Sequence, residues 1–207
     1  KENIYPDFVV SIDPEKSFES CSEPNFSPGT VILSSQSHTS WSQKWDKKCF
    51  ISGRVICEDW LSEKGIGKTS LMAINNSGLT ALAFADFLSP SAILLVGMDL
   101  AGGGDGRIRY AKNTGRSNIE IDATIFHEIP GNYAKKVPTP FYSDWKETSD
   151  ASARYSKKRS IINLNDRGAL LEGSNLIHPD DFRDVKQLLC DNLSSFEKRN
   201  EEIFLQR

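Results

Sequence analysis

Short, uninterrupted aliphatic runs closed by turn residues constrain this chain more than any other feature. The clearest is Ile93-Leu94-Leu95-Val96; Val31-Ile32-Leu33 and Phe8-Val9-Val10 are of the same kind. A strand with one wet face alternates apolar and polar side chains, whereas a run apolar at every position has both faces covered. Such strands belong to a parallel sheet with helices on either side. Strands are expected at residues 7–12, closed by Asp13-Pro14, at 30–33, at 71–74, at Ala92–Val96 and at 159–164, with a loosely defined element from Phe50-Ile51 and Val55-Ile56.

Between two of these runs Leu79, Leu82, Ala83 and Phe87 recur at helical spacing, with Ser77 as expected N-cap and Ser89-Pro90 as the stop. Residues 71–96 therefore read as a compact strand–helix–strand unit with a right-handed crossover. After Val96 comes the glycine cluster Gly102-Gly103-Gly104-Asp105-Gly106, then a stretch broken by Pro130, Gly131, Pro138 and Pro140. Residues 101–145 are expected to be an irregular lid or binding loop. Phe182, Val185, Leu189, Leu193 and Phe196 repeat at helical spacing, so 179–207 reads as a C-terminal amphipathic helix. The fold class expected is α/β: a Rossmann-like, mostly parallel sheet flanked by helices, forming one domain over 1–178. The chain reaches its first strand almost at once from Lys1, and an N-terminal portion is expected to precede it.

Composition narrows the partners. The chain of 207 residues is 38% hydrophobic and 26% charged, with a formal net charge of -3. It lacks the basic excess of a nucleic-acid surface. No apolar stretch approaches the ~20 residues of a membrane span. Cys21, Cys49, Cys57 and Cys190 form no CxxC pair and have no histidine at metal-ligand spacing, so reduced thiols, a cytoplasmic setting and no metal site are expected.

The chemistry is expected at the C-terminal ends of the strands. The turn Asn75-Asn76-Ser77-Gly78 opens a helix, where unpaired amides and the positive end of the helix dipole favour an anion. Asn76, Ser77 and Gly78 are thus candidate nucleotide contacts, as are Gly97 after the next strand and His38 after the second. Asp13 and Asp99, each ending a strand, are the candidate catalytic carboxylates. Two motifs fail. Gly65-Ile66-Gly67-Lys68-Thr69 resembles the end of a P-loop, but Ser62 replaces its first glycine and no helix follows. The cluster at 102–106 likewise opens no helix. His127 and His178 read as structural.

A resemblance accompanies these residues. "DFVVSIDP" at 7–14, "NSGLTALAFADFL" at 76–88, "ILLVGMDL" at 93–100, "IPGNYAKKVPT" at 129–139 and "NLNDRGALLEG" at 163–173 occur in this order. The succession resembles the 6-hydroxymethylpterin pyrophosphokinase MptE-like domain shared with motility-associated flagellin glycosylation factors. Its central part is similar to bacterial CMP-sialic-acid-dependent sialyltransferases. The resemblance implies a nucleotide or nucleotide-sugar ligand near Asn76, Ser77, Gly78, Gly97 and Asp99. It departs where the archaeal pyrophosphokinases carry paired aspartates, for here the run is Ser11-Ile12-Asp13-Pro14. Where many relatives have a histidine after the "VGMDL" strand, this chain has Arg109-Tyr110-Ala111-Lys112, and Tyr110 and Lys112 become candidate lid or acceptor contacts. Three functions follow as expectations: transfer of a nonulosonic sugar from a CMP donor to a protein or surface glycan, with no tightly bound cofactor; an ATP- and Mg²⁺-dependent pyrophosphokinase; or a non-catalytic nucleotide-binding domain.

Overall fold

The structure is a computed structural model and describes residues 5–21, 29–53, 56–67, 69, 71, 73–103, 106–108 and 125–182. The chain forms two compact units, Lys1–Phe87 and Leu88–Arg207. The α/β architecture is as expected, with parallel sheets and flanking helices in each unit.

In the first unit β1 (Phe8–Ser11), β2 (Thr30–Ser34) and β3 (Lys48–Ile51) form a parallel sheet with β2 in the centre. Period-two alternation sends consecutive aliphatic residues to opposite faces. Val31 and Leu33 pack with Trp41, Val9, Phe18 and Trp45 on one side. Ile32 packs with Ile12, Ile51, Ala73, Val10, Leu71 and Phe84 on the other. Both faces are covered, which is why the run is apolar throughout. Burial of each such side chain contributes roughly 1.5–3 kcal/mol. Short helices α1 (Phe18–Cys21) and α2 (Thr39–Lys44) follow β1 and β2, and α3 (Ile56–Glu63) and α4 (Ser77–Phe87) complete the unit.

Three expectations need correction here. Ile56 starts a helix rather than a strand. Leu71, Ala73 and Ile74 form no strand, although the Ala73 N–H donates to the Ser52 carbonyl at 2.6 Å, so the strand–helix–strand unit at 71–96 lacks its first strand. Phe87 ends α4 exposed instead of lining its buried stripe, which consists of Leu79, Thr80, Leu82 and Ala83.

In the second unit β7 (Ser160–Leu164) lies between β4 (Ala92–Val96) and β8 (Asn175–Ile177), all parallel. An antiparallel pair, β5 (His127–Ile129) and β6 (Val137–Thr139), precedes the 14-residue helix α5 (Tyr142–Tyr155). The later part of the expected irregular region, residues 125–145, is therefore ordered as a two-stranded ribbon and the start of a helix. α5 buries Thr148, Ser149, Ala151 and Ser152, a stripe of small side chains. Asp144 in its first turn and Arg154 in its last complement the helix dipole. A 3-10 turn, Pro179–Asp181, follows β8. The expected C-terminal helix beyond it lies outside the described residues.

Candidate functional site

The rim of the first unit is built at the ends of β1 and β2. Asp13 is half-buried; its Oδ1 accepts the Glu15 N–H at 2.8 Å and its carbonyl accepts the His38 N–H at 3.3 Å. The structure thus brings Asp13 and His38 together through the backbone. His38 is the N-cap of α2: Nδ1 accepts the Ser40 N–H at 3.2 Å and lies 2.8 Å from the Ser40 hydroxyl. That leaves Nε2 as the nitrogen available to a ligand. Ser37 ties the same loop down, since its hydroxyl donates to the Ser11 carbonyl and accepts the Ser34 N–H.

α4 opens this unit's second polar corner. Asn76, not Ser77, caps it: Asn76 Oδ1 accepts the Leu79 N–H at 2.7 Å, the third amide of the helix. Ser77 and Gly78 occupy the first turn, half-buried. Thr80 closes the turn by donating to the Asn76 carbonyl and accepting the Ile74 N–H. The Asn76 Nδ2 is buried with no hydrogen-bond partner among the described residues. A cleft of about 600 Å³ in this unit lies at the opposite edge, where Pro6, Asp7, Gly29 and Lys47 lead into the strands. None of the residues expected in the site lines it.

The P-loop-like segment is also settled by its contacts. Thr69 and Ser52 exchange N–H···Oγ bonds at 2.9 and 2.7 Å, so the Thr69 hydroxyl serves the backbone.

In the second unit the ends of β4 and β7 meet. Gly97 has φ +73° and open space where a Cβ would stand, so its backbone is accessible. Asp99 Oδ1 accepts the Asn165 Nδ2–H at 3.0 Å, and the Asp99 carbonyl accepts the Ala169 N–H at 2.7 Å. Asp99 Oδ2 makes no hydrogen bond among the described residues. Leu100, next in the chain, is held at φ 51° in the left-handed region. Its carbonyl accepts the hydroxyl of fully buried Thr139 at 2.8 Å. Backbone strain of this sort costs about 1–3 kcal/mol and persists where neighbours enforce it.

Charged groups surround this rim. Asp166 and Arg167 form a two-point pair at 2.7 and 3.0 Å. The Arg167 hydrogen bond holds the Asp166 carboxyl below its usual range. Asp166, with a smaller contribution from Asp99, raises Arg167. Desolvation, Asp181 and Asp166 push the Tyr133 phenol up, and the Tyr133 ring meets His178 edge-on at 5.5 Å. His178 caps the 3-10 turn, Nδ1 accepting the Asp180 N–H at 3.2 Å. A neutral His178 then carries its proton on Nε2 and is a donor.

A family model described as 6-hydroxymethylpterin diphosphokinase MptE-like matches residues 1–105, just over half of the chain. The chain belongs to the MptE-like family. Among curated proteins and solved structures, none matches it.

The MptE-like match covers Asp13, His38, Asn76, Ser77, Gly78, Gly97 and Asp99, and ends within the glycine cluster. Tyr110 and Lys112 lie outside the described residues. What the sequence reading missed lies downstream of the match: Asn165, Arg167, Tyr133 and His178. One signal was available, because Asn165-Asp166-Arg167 and His178 each follow an aliphatic run, as Asp99 does. A resident Mg²⁺ does not fit the end of β1 in this MptE-like chain. The run Ser11-Ile12-Asp13 offers a single carboxylate, and one of its oxygens is already engaged by the Glu15 N–H.

Proposed function

We propose that the chain is a glycosyltransferase that moves a nonulosonic, sialic-acid-like sugar from a CMP donor to a hydroxyl of a protein or surface glycan. The observation that supports this reading best is Asp99. It stands at the C-terminal end of β4 with Oδ1 fixed by Asn165 and Oδ2 unengaged, beside the open backbone of Gly97. A carboxylate oriented in this way takes the proton of the acceptor hydroxyl as that oxygen attacks the anomeric carbon. The bond from that carbon to the CMP phosphate breaks, and the phosphate leaves with the electron pair. Arg167 and the His178 Nε2–H are the donors proposed to meet the charge that develops on it. Gly97 is a proposed nucleotide contact beside Asp99; on the first unit, taken by itself, Asn76, Ser77, Gly78 and His38 are proposed to contact a nucleotide and Asp13 to be the carboxylate of that unit's own rim. The expected cytoplasmic setting is part of the proposal; among the described residues no helix is long and apolar enough to cross a membrane.

The family's description favours a second reading, diphosphate transfer from ATP to a pterin. That reaction depends on a metal bridging the phosphates, and the donor set at β1 speaks against it. Thermal-shift titration separates the readings. CMP or a CMP-sugar raising the melting temperature supports the glycosyltransferase, a Mg²⁺-dependent response to ATP supports the diphosphokinase, and no response to any nucleotide overturns both. For the first reading, Asp99→Asn is expected to lower transfer by about 10²–10⁴-fold while leaving the CMP response in place.

A further inference from the structure

Three aromatic rings stand in sequence on the second unit. His127 on β5 lies 5.0 Å from Tyr142, and Tyr142 lies 5.6 Å from Trp145, one turn further along α5. His127 is exposed, and so is Tyr142, at 43%. The Tyr142 hydroxyl and the His127 ring nitrogens make no hydrogen bond among the described residues. Trp145 is half-buried and its ring is fixed, since Nε1–H donates to the Leu170 carbonyl at 2.8 Å.

Two short paths join these rings to Asp99. Leu170 follows Ala169, whose N–H donates to the Asp99 carbonyl at 2.7 Å. His127 pairs with Thr139 across the ribbon, and the Thr139 hydroxyl donates to the carbonyl of Leu100, the neighbour of Asp99. The rings therefore belong to the same unit as the carboxylate assigned as base and are tied to its backbone.

The cations beside them are paired, while Asp144 and Glu147 leave the first turns of α5 acidic. Glu128 pairs with Lys136 at 2.7 Å, and Lys146 pairs with Asp150. What is left is three ring faces, unengaged polar tips on His127 and Tyr142, and no unpaired cation beside them among the described residues. This suits a neutral ligand that has an apolar face and a rim of hydroxyls. It does not suit a phosphate or a nucleic-acid backbone, which call for uncompensated cations. A pyranose ring has that form: the C–H bonds of one face rest on the negative face of an aromatic ring, and its hydroxyls reach the polar tips.

We propose that His127, Tyr142 and Trp145 form a stacking platform for a neutral pyranose ring of the acceptor glycan. The word acceptor rests on the glycosyltransferase reading; the pyranose site itself does not.

Saturation-transfer NMR tests it on the full chain, with methyl β-D-galactoside, methyl N-acetyl-β-D-glucosaminide and methyl α-D-mannoside as probes and adenosine and cytidine as controls. Irradiating the protein's aromatic protons is expected to enhance ring C–H signals of at least one glycoside. Tyr142→Ala is expected to cut that signal at least fivefold and His127→Ala at least twofold, while Tyr142→Phe keeps most of it. Melting curves establish that the variants are folded. No transfer to any of the three glycosides overturns the platform, as does equal transfer in Tyr142→Ala, or transfer to the nucleosides alone. The CMP response, measured on the same variants, reports separately on the donor reading. If glycoside binding depends on Tyr142 and CMP has no effect, the platform stands and the CMP-dependent reaction falls. A CMP response retained in Tyr142→Ala together with lost glycoside binding supports both.

Discussion

Asn165 holds Asp99 from the neighbouring strand end, its Nδ2 donating to Asp99 Oδ1 at 3.0 Å across a separation of 66 residues. Asn165 is itself fixed, since its N–H donates to the Ile177 carbonyl and its Oδ1 accepts the Arg167 N–H at 3.2 Å. A carboxylate that must take a proton along one direction gains from such a lateral tether. On the proposed glycosyltransferase reading, Asn165→Ala is expected to lower kcat by about 10–100-fold through misplacement. The donor KM should change little, and stability should fall by only about 1 kcal/mol. Steady-state kinetics with a melting curve check it; an unchanged kcat would remove Asn165 from the site.

Gly168 underlies the same loop from the backbone side. It has φ +79°, and a Cβ there would stand 2.7 Å from the Asp99 carbonyl oxygen. Gly168→Ala therefore combines left-handed strain with a collision against backbone, and should cost about 1–3 kcal/mol. Urea denaturation is the measurement, and an unchanged midpoint with the same slope would show that the loop yields freely.

Thr139 is fully buried, and its hydroxyl works twice, donating to the Leu100 carbonyl and accepting the Phe141 N–H at 2.9 Å. Thr139→Val keeps the shape and strands both backbone groups, at a cost of about 1–3 kcal/mol. Thr139→Ser retains the hydroxyl and should lose less. A Val variant as stable as the Ser variant would contradict the assignment.

Asn163 presents the opposite case. It is wholly buried in the central strand of the second unit, opposite Leu95, and neither amide atom has a hydrogen-bond partner among the described residues. Unpaired buried amide groups cost about 1–3 kcal/mol. Asn163→Leu, of similar size, is expected to raise the melting temperature, with a gain of about 1 kcal/mol. A fall instead would show that the amide is satisfied by internal water.

The Asp166–Arg167 pair sets a small acid dependence. Arg167 lowers the folded pKa of Asp166 below its ordinary value of about 3.9. The pair therefore adds stability above the unfolded pKa and loses it as pH falls through the folded one. Both side chains are about half exposed, so water screens the effect to less than about 0.5 kcal/mol. In Arg167→Gln the Asp166 carboxyl should titrate higher, nearer the ordinary range, by NMR; an unmoved midpoint would refute the cause.

Much of the sheet was legible because its signal is local. Phe8–Ser11, Thr30–Ser34, Ala92–Val96 and Ser160–Leu164 are strands close to where their aliphatic runs place them. α5 was not legible, because its buried face is Thr148, Ser149, Ala151 and Ser152, and a stripe of small side chains leaves no hydrophobic period to read. The cap of α4 was ambiguous for a different reason. Asn76 and Ser77 are both good N-caps, and only the reach of Asn76 Oδ1 to the Leu79 amide decides between them.

By itself the sequence determined that residues 8–11, 30–34, 92–96 and 160–164 would be strands, though not that 71–74 would fail to form one, and that Asp13 and Asp99 would follow two of them. Those properties depend on alternation along a few consecutive residues, which each segment carries wherever it is placed. Tertiary structure alone decided that Asn165 tethers Asp99, that Thr139 holds Leu100 in a strained turn, and that His127 meets Tyr142. These contacts join residues far apart in the chain, and their partners are chosen by strand order and loop path rather than by any local pattern.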